Sequence, residues 1–466
     1  MYKMKHSFNY LYIFVALTGM GFVSSDANSG AFSLYTEGSA SAVGNFAAGV
    51  AAEARDASIG WYNPAGLALI RNNQVVLGAT GVAPTATLSG TSSFYQRDIS
   101  DEQFIAPYVQ NFENLSGGRS AVVPNIHIAI PVGEKVTYGL SIVSPMGLST
   151  SWPEKSALRY AGTLSELRMV DVSPEVGGMI TPNLSIGWGL DIQWADVSFN
   201  NVLGAPAAFQ LIGADPTTWD SSLVNHGTSS ALGFHAGFLL MSDNKSSRFG
   251  FNYQYGVWHE FNGYSQLTGL LANINEPNQS ITPEYKSLFL SSNPIHFPNI
   301  LTFSLYQQVS PRVAMLGSIV YTTWSSFKTI GLNNVAAYNA REDILAMVNA
   351  TTLQNYQNTI RAAFGMNFDI NDKWQFRWGG GYDQSPTNNI DRDVRLPDVD
   401  KMAIAVGLQW KVTPNWYVDA GYSYLMPLSD VAINKTQVFD NDNYVHVQAD
   451  GHAYAQLLGV QIAWRQ

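Results

Sequence analysis

The sequence predicts an all-β membrane protein: a 14-stranded antiparallel outer-membrane β-barrel with an N-terminal helical hatch, or plug, in its lumen. Three observations carry that prediction. Strand-length segments alternate large apolar side chains with small or polar ones. Short and long connections between those segments alternate along the chain. A small-residue segment without strand alternation precedes the first of them.

The alternation is clearest at Ile186–Trp194. Ile186, Trp188, Leu190, Ile192 and Trp194 point one way, and Gly187, Gly189, Asp191 and Gln193 the other. Trp374, Phe376, Trp378 and Tyr382 oppose Gln375, Arg377, Gly379 and Gly381 in the same manner. Ile404, Val406, Leu408 and Trp410 face away from Ala405, Gly407, Gln409 and Lys411. Phe249, Phe251, Tyr253 and Tyr255 do so against Gly250, Asn252 and Gln254, and Leu458, Val460, Ile462 and Trp464 against Gly459, Gln461 and Ala463. The exposed face of a soluble sandwich carries charged and β-branched residues rather than Gly and Gln. A large apolar face tipped with aromatics is what a lipid-facing band with interfacial girdles requires.

Strands are placed near 74–83, 121–131, 136–146, 168–180, 184–199, 230–241, 247–259, 298–309, 312–324, 359–369, 373–383, 401–411, 415–425 and 453–464. This even number closes a bacterial single-chain barrel with both ends in the periplasm. Connections at Pro131–Lys135, Thr181–Asn183, Ser242–Ser246, Ser310–Pro311, Ile370–Asp372 and Val412–Pro414 are tight and rich in turn residues. Those at 200–229, 260–297, 325–358 and 426–452 are long and read as extracellular loops.

Residues 1–29 read as a signal peptide. Lys3 and Lys5 precede an apolar run ending near Val23, and small residues set cleavage after Ala27 or Ser29. The run is too short for a membrane helix, and no later stretch is long and apolar enough to be one. Residues 30–73 are rich in Ala, Gly and Ser, weakly helical and without alternation. They read as the hatch, with a loose periplasmic tail as the alternative. The barrel occupies 74–466.

Composition narrows function. The 466 residues include 25 Lys+Arg against 35 Asp+Glu, which leaves no basic footprint for nucleic acid. The chain has no Cys, which removes thiolate metal sites and cysteine nucleophiles. The eight His are scattered, and neither G-x-S-x-G nor H-E-x-x-H occurs. No catalytic residue, metal ligand or cofactor is assigned, and the reading is of a non-enzyme.

Several motifs, in order, carry a family resemblance. They are Gly30–Tyr35 (GAFSLY), Asn63-Pro64-Ala65, Val123-Pro124-Asn125-Ile126-His127 and Tyr321-Thr322-Thr323-Trp324-Ser325-Ser326-Phe327. Gly381-Tyr382-Asp383-Gln384-Ser385-Pro386 and Leu396-Pro397-Asp398-Val399-Asp400-Lys401 complete the set. Through nearly the whole mature chain the sequence resembles the FadL family of outer-membrane long-chain fatty-acid and hydrocarbon transporters. The resemblance implies passive uptake without an enzymatic activity: capture in an apolar loop groove, transfer to a pocket above the hatch, and lateral exit at a kink in strand 3. Neutral aromatic or aliphatic hydrocarbons are the alternative substrates, and a general diffusion porin or adhesin is the rival class. The expected partners are these hydrophobic molecules, outer-membrane lipid and lipopolysaccharide, and the barrel-assembly machinery, around a monomer in the outer membrane of a Gram-negative cell.

The groove falls on loops 200–229 and 260–297, with Leu203, Phe209, Leu211, Ile212, Leu267, Leu270, Leu271 and Ile274. Those side chains either line a groove or cap the barrel mouth by packing on one another. The kink falls at Ser144-Pro145-Met146-Gly147, since Pro lacks an N–H and breaks a ladder or ends the strand. Asn63-Pro64-Ala65, by family analogy, lies against that kink and gates it. Where the family often carries a basic head-group residue, this chain has Asn201. Inward Arg361, Arg377 or Lys411 could replace it, or could pair with Asp191, Asp369, Asp383 or Asp419.

Overall fold

The computed structural model describes residues 33–97, 105–272, 284–339, 342, 344–439 and 443–466. The expected signal peptide and Ile274 lie outside the described residues.

Fourteen strands close the barrel. In chain order they are β1 (Gln74–Gln96), β2 (Ala121–Val132), β3 (Val136–Val143, resuming at Gly147–Ser151), β4 (Leu164–Thr181), β5 (Leu184–Leu203) and β6 (Ser221–Met241). Next come β7 (Ser247–Gln254, Trp258–His259 and Asn262–Thr268) and β8 (Glu284–Ser292, Ile295–His296 and Ile300–Ser310). Then follow β9 (Val313–Thr322 and Thr329–Asn339), β10 (Ile344–Leu353 and Thr359–Asp369), β11 (Trp374–Asp383) and β12 (Lys401–Lys411). β13 (Trp416–Pro427 and Val431–Val438) and β14 (Asn443–Arg465) complete the order. Closure comes from β1, which pairs antiparallel with β2 on one side and along its whole length with β14 on the other.

Each tight connection foreseen in the sequence is a turn at one end of the barrel, and the termini of β1 and β14 lie at that same end. The strands reach further than expected at the opposite end. The segments read as loops 325–358 and 426–452 are largely hairpins: Thr329–Asn339 pairs with Ile344–Leu353, and Val431–Val438 with β14. The 200–229 connection shrinks to residues 204–220, which carry short helices at Pro206–Leu211 and Pro216–Trp219. The physical reason is that these upper strands rise above the lipid band, where nothing imposes the strict alternation by which the membrane strands were recognised; Ile344, Leu345, Met347 and Val348 are exposed without it.

The apolar face of each membrane strand looks outward. Ile186, Trp188, Trp194, Ile404, Val406, Leu458 and Val460 are exposed, as a lipid-facing surface must be. Near the turn end Trp374 stacks on Trp410, 5.5 Å between centroids, beside Trp416. These rings form a girdle at one membrane interface.

The lumen is filled by the hatch. Residues 33–73 fold into a 3-10 turn at Thr36–Gly38, short helices at Ala40–Val43 and Ile59–Tyr62, and a 3-10 stretch at Pro64–Leu69, almost all of it buried. Irregular backbone at membrane depth needs partners from the surrounding protein. The small polar side chains of the strands supply them. Ser423 donates to the carbonyl of Val43 (2.5 Å), Ser318 to that of Ala47 (3.0 Å), Ser185 to that of Ala65 (2.9 Å) and Thr137 to that of Ile70 (3.0 Å). In return the N–H groups of Ala40 and Gly49 donate to Gln461 (2.9 Å) and Ser318 (2.8 Å).

The inward glycines serve the same seat by being small. A Cβ on Gly421 would stand 2.4 Å from the Ala40 carbonyl oxygen, and one on Gly187 would stand 2.2 Å from the Ala65 nitrogen. One on Gly379 would meet the Asn45 oxygen at 2.3 Å. The glycine-rich inner face is therefore the imprint of the hatch backbone.

Candidate functional site

Beneath the tall hairpins lies a cavity of about 1020 Å³, at the upper limit of the ~300–1,000 Å³ usual for small-molecule sites. Its wall is mainly apolar: Phe94, Phe199, Phe209, Trp219, Leu270, Leu271, Ile330, Val335 and Phe439 are all part of it. The Pro206–Leu211 helix positions Phe209, whose ring lies 5.7 Å from that of Trp219. Leu203, at the end of β5, lines the same space.

Two guanidinium groups, Arg97 and Arg395, also face this cavity. Arg395 lies in the connection between β11 and β12, beside the Leu396–Lys401 motif. Its Nη1 donates to Ser165 Oγ at 2.8 Å and to the carbonyls of Leu164 at 3.2 Å and Asn200 at 3.4 Å. The group sits 5.9 Å from the centre of the Phe199 ring. Burial pushes it below the ordinary arginine value, against the pull of Asp393. Among the described residues no carboxylate stands within ion-pair distance of it. A cation held by neutral oxygens at the wall of an apolar cavity can offer its remaining N–H donors to an anionic group. Asn201 lines the same cavity, its amide 3.5 Å from the Tyr160 carbonyl.

An apolar cluster joins the hatch to the broken strand. Tyr35, Trp61 and Tyr62 of the hatch pack with Val143, Met146, Leu148, Leu167 and Met169. The Tyr35 hydroxyl bonds Thr302 (2.8 Å), and Tyr62 donates to the Tyr35 carbonyl (3.0 Å). Strand β3 breaks at Ser144–Met146, where the Pro145 argument placed the kink. Its ladder with β2 stops at Ile126↔Ile142, while residues 121–125 of β2 continue their ladder with β1. The break is met from inside: Ser33 bridges Met146, and the Leu34 N–H donates to the Pro145 carbonyl at 3.0 Å.

Several expected site residues fall elsewhere. Asn63-Pro64-Ala65 does not touch the kink. Asn63 donates to the carbonyls of Ala51 (2.8 Å) and Phe238 (3.1 Å), and the tripeptide lies against Gly177, Gly187 and Gly237 of β4, β5 and β6. It packs there because those glycines admit its backbone. Leu211 and Ile212 are 67% and 68% exposed, on the outer side of their helix end, and do not line the cavity. Leu267 is fully buried with Leu223, Leu290 and Ala336, so it caps the mouth by packing.

None of the three expected head-group cations reaches the cavity. Arg377 is ion-paired to Asp419. Arg361 turns into the hatch, over Phe46 at 4.0 Å and bonded to Thr36. Lys411 lies near a turn, 5.8 Å from the Tyr417 ring. Inward cations find fixed acids or the hatch before they find open space. Arg395 was missed because it lies outside any alternating strand; its place beside the Leu396–Lys401 motif was the one available signal.

A closed barrel with an internal hatch and an apolar, cation-rimmed cavity at its mouth defines an outer-membrane transport protein. The family model for the outer membrane protein transport proteins (OMPP1/FadL/TodX) matches residues 20–465, and the chain belongs to that family. It is 26% identical over 420 residues to the long-chain fatty acid transport protein of Salmonella typhi, covering 86% of this chain and 89% of that one. In fold it is similar to a Pseudomonas aeruginosa FadL homologue, with a TM-score of 0.76, 20% identity and coverage of 93% and 99%. It is also similar in fold to the Ralstonia pickettii toluene transporter TbuX, with a TM-score of 0.61, 15% identity and coverage of 92% and 99%.

Proposed function

We propose that this protein takes up long-chain fatty acids passively, without an enzymatic step. The observation that carries the reading is Arg395, a guanidinium without a carboxylate partner among the described residues at the wall of a largely apolar cavity. A fatty acid places its carboxylate there and its chain among Phe199, Phe209, Leu270 and Leu271. Burial contributes about 0.8 kcal/mol per CH₂, enough for capture from dilute solution. The chain then passes to the apolar cluster around Tyr35, Trp61 and Met146, above the hatch. It leaves sideways where β2 and β3 lose their ladder, once Ser33 and Leu34 let go of the kink. Residues 30–73 act as the hatch, residues 1–29 as the cleaved signal, and the barrel works as a monomer.

Neutral aromatic hydrocarbons are the second reading. The rings of Phe94, Phe199, Phe209, Trp219 and Phe439 around the cavity favour it. The test is oleate uptake by cells lacking their own transporter and displaying this chain at verified surface levels. Uptake above an empty-vector control, maintained or quickened by deletion of the Ser33–Leu34 cover, is the expected result. No oleate uptake from a folded barrel, with toluene uptake intact, would replace the first reading by the second.

A further inference from the structure

A second discontinuity in the wall lies between β6 and β7. Below it the ladder runs from Met241↔Arg248 to His235↔Gln254; above it, from Thr228↔Asn262 to Ser222↔Thr268. Between these registers residues 229–233 of β6 have no ladder partner on β7, and the single backbone bond that crosses is Tyr255 N–H to the Phe234 carbonyl (2.9 Å). Strands β7 and β8 leave the wall together, since Trp258 stays paired with His296 and His259 with Ile295. A barrel in lipid normally satisfies every backbone group along its ladders, so such a break carries a cost.

Side chains close the break. Val257 covers Gly233, and Phe261 covers Gly227. His259 is fully buried and acts as a bolt, with Nδ1 3.1 Å from Ser229 Oγ and Nε2 3.2 Å from Gln193 Oε1. On the outside lies a depression of about 680 Å³ bounded by Arg168, Trp194, Ser230 and Glu260. Ala195 and Ser229 also line it, although strand alternation turns both toward the lumen, so the depression enters the wall. Leu232 and Trp258 beside it are 67% and 54% exposed, which sets it in the lipid-facing band. On the lumen side Phe261, Phe297, Ala195 and Val197 belong to the same apolar cluster as Met146 at the β3 kink.

We propose that this break is a second lateral portal, through which apolar or single-chain amphipathic molecules dissolved in the outer leaflet reach the lumen without passing the loops. The occupant comes from the membrane because Trp194, Leu232 and Trp258 are exposed to lipid around the opening, while the depression's own polar lining, Asp196, Thr228 and Asn262 included, suits the head of a single-chain amphipath. Arg168 and Glu260 meet the head-group zone, and the lumen side is apolar. The portal rests on the reading of this barrel as a carrier of hydrophobic molecules.

The chain has no cysteine, so Gly233→Cys with Val257→Cys provides one reversible lock; a Cβ on Gly233 would lie 2.6 Å from Val257 Cγ2. The full-length double variant is placed in phosphatidylethanolamine vesicles holding a diazirine-bearing hexadecane. Labelled residues are mapped after irradiation, with Met146 at the other opening as internal reference. Reduced barrels are expected to be labelled at Phe261 and Phe297. Oxidised barrels should lose that labelling relative to Met146, keep it on Leu232 and Trp258, and regain it with reductant. Equal lumen labelling in both states would overturn the portal, as would labelling confined to the outward residues when reduced. If the lock does not form, His259→Ala removes the bolt and must raise labelling at Phe297; unchanged labelling overturns the proposal. Failure of wild-type oleate uptake would count against the fatty-acid reading alone, since the labelling uses a neutral probe.

Discussion

Replacing Arg395 by Leu isolates the head-group contact from the rest of the cavity. The native group has Nη1 committed to Ser165, Leu164 and Asn200. That leaves the remaining donors for a ligand. A hydrogen bond to a charged group contributes about 1.5–3 kcal/mol, and each 1.4 kcal/mol is about tenfold in affinity. Oleate should therefore bind Arg395→Leu about 10- to 100-fold more weakly, while octadecanol, with the same chain and no charge, should change little. Lys at this position keeps the charge but loses the planar fork, so it should fall between. Competition against a fluorescent fatty acid on the purified barrel in detergent reads both ligands on one scale. If oleate and octadecanol weaken by the same factor, Arg395 acts by packing against Phe199 and the head-group assignment is wrong. If neither weakens, the carboxylate lies elsewhere.

Three further outcomes follow from the geometry. Gly421→Val puts side-chain atoms where the Ala40 carbonyl and Gly44 nitrogen now lie, 2.4 and 2.5 Å from a Cβ. Overpacking of about 1–3 kcal/mol should loosen the hatch and raise single-channel conductance in planar bilayers; wild-type conductance would refute the seat. Leu34→Pro deletes the N–H that reaches the Pro145 carbonyl, whereas Leu34→Ala keeps it, so only the proline variant should release bound fatty acid faster in stopped-flow exchange. Equal release by the two variants would show that the side chain, not the backbone bond, holds the gap shut. Asp391 is partly desolvated, yet its bonds to Asn355 and Lys435 hold it below the ordinary aspartate value. A depressed carboxylate stabilises above the unfolded-state value and loses that contribution as pH falls through the folded one. Hydrogen exchange in residues 384–400 should accordingly quicken in acid below the usual aspartate range, and Asp391→Asn should remove the pH dependence.

The membrane part of the wall was readable because lipid imposes one rule on every strand: apolar out, small or polar in. Ile186–Trp194 obeys that rule without exception, and its placement was correct. The upper hairpins obey no such rule. Water or other loops meet both faces of Thr329–Asn339 and Ile344–Leu353, so composition there does not separate strand from loop. Pro145 pointed to an interruption of β3 through its missing N–H, but the same chemistry allowed a simple strand end, and the kink itself came from the family resemblance. The break between β6 and β7 has no proline; it arises from an extra residue, since 255–261 stand opposite 229–234, and counting across a ladder requires knowing the register. Arg361, Arg377 and Lys411 were chosen for facing inward. Inward is where Asp419 and the hatch also lie, and only geometry distinguishes an arginine held by an acid from one held by carbonyls.

The way the hatch is held bears on how the proposed release proceeds. Its backbone is tied to the wall by many separate side-chain bonds, from Ser423, Ser318, Ser185, Thr137 and Gln461 on five different strands. At roughly 0.5–1.5 kcal/mol each, these add up to several kcal/mol. Expelling the hatch as a body would also leave irregular backbone unpaired at membrane depth. The cover over the β3 break is different in kind: one backbone bond from Leu34, beside the Ser33 bridge. Detaching it gives up that bond, the Ser33 bridge and the burial of Leu34, still fewer ties than hold the hatch body, and exposes the edge next to Met146, where the apolar cluster already meets the wall. A ligand chain entering that cluster needs to displace only this cover. Local opening at residues 33–34 is therefore the cheaper route, and it keeps the lumen sealed against ions while an apolar molecule leaves through the side.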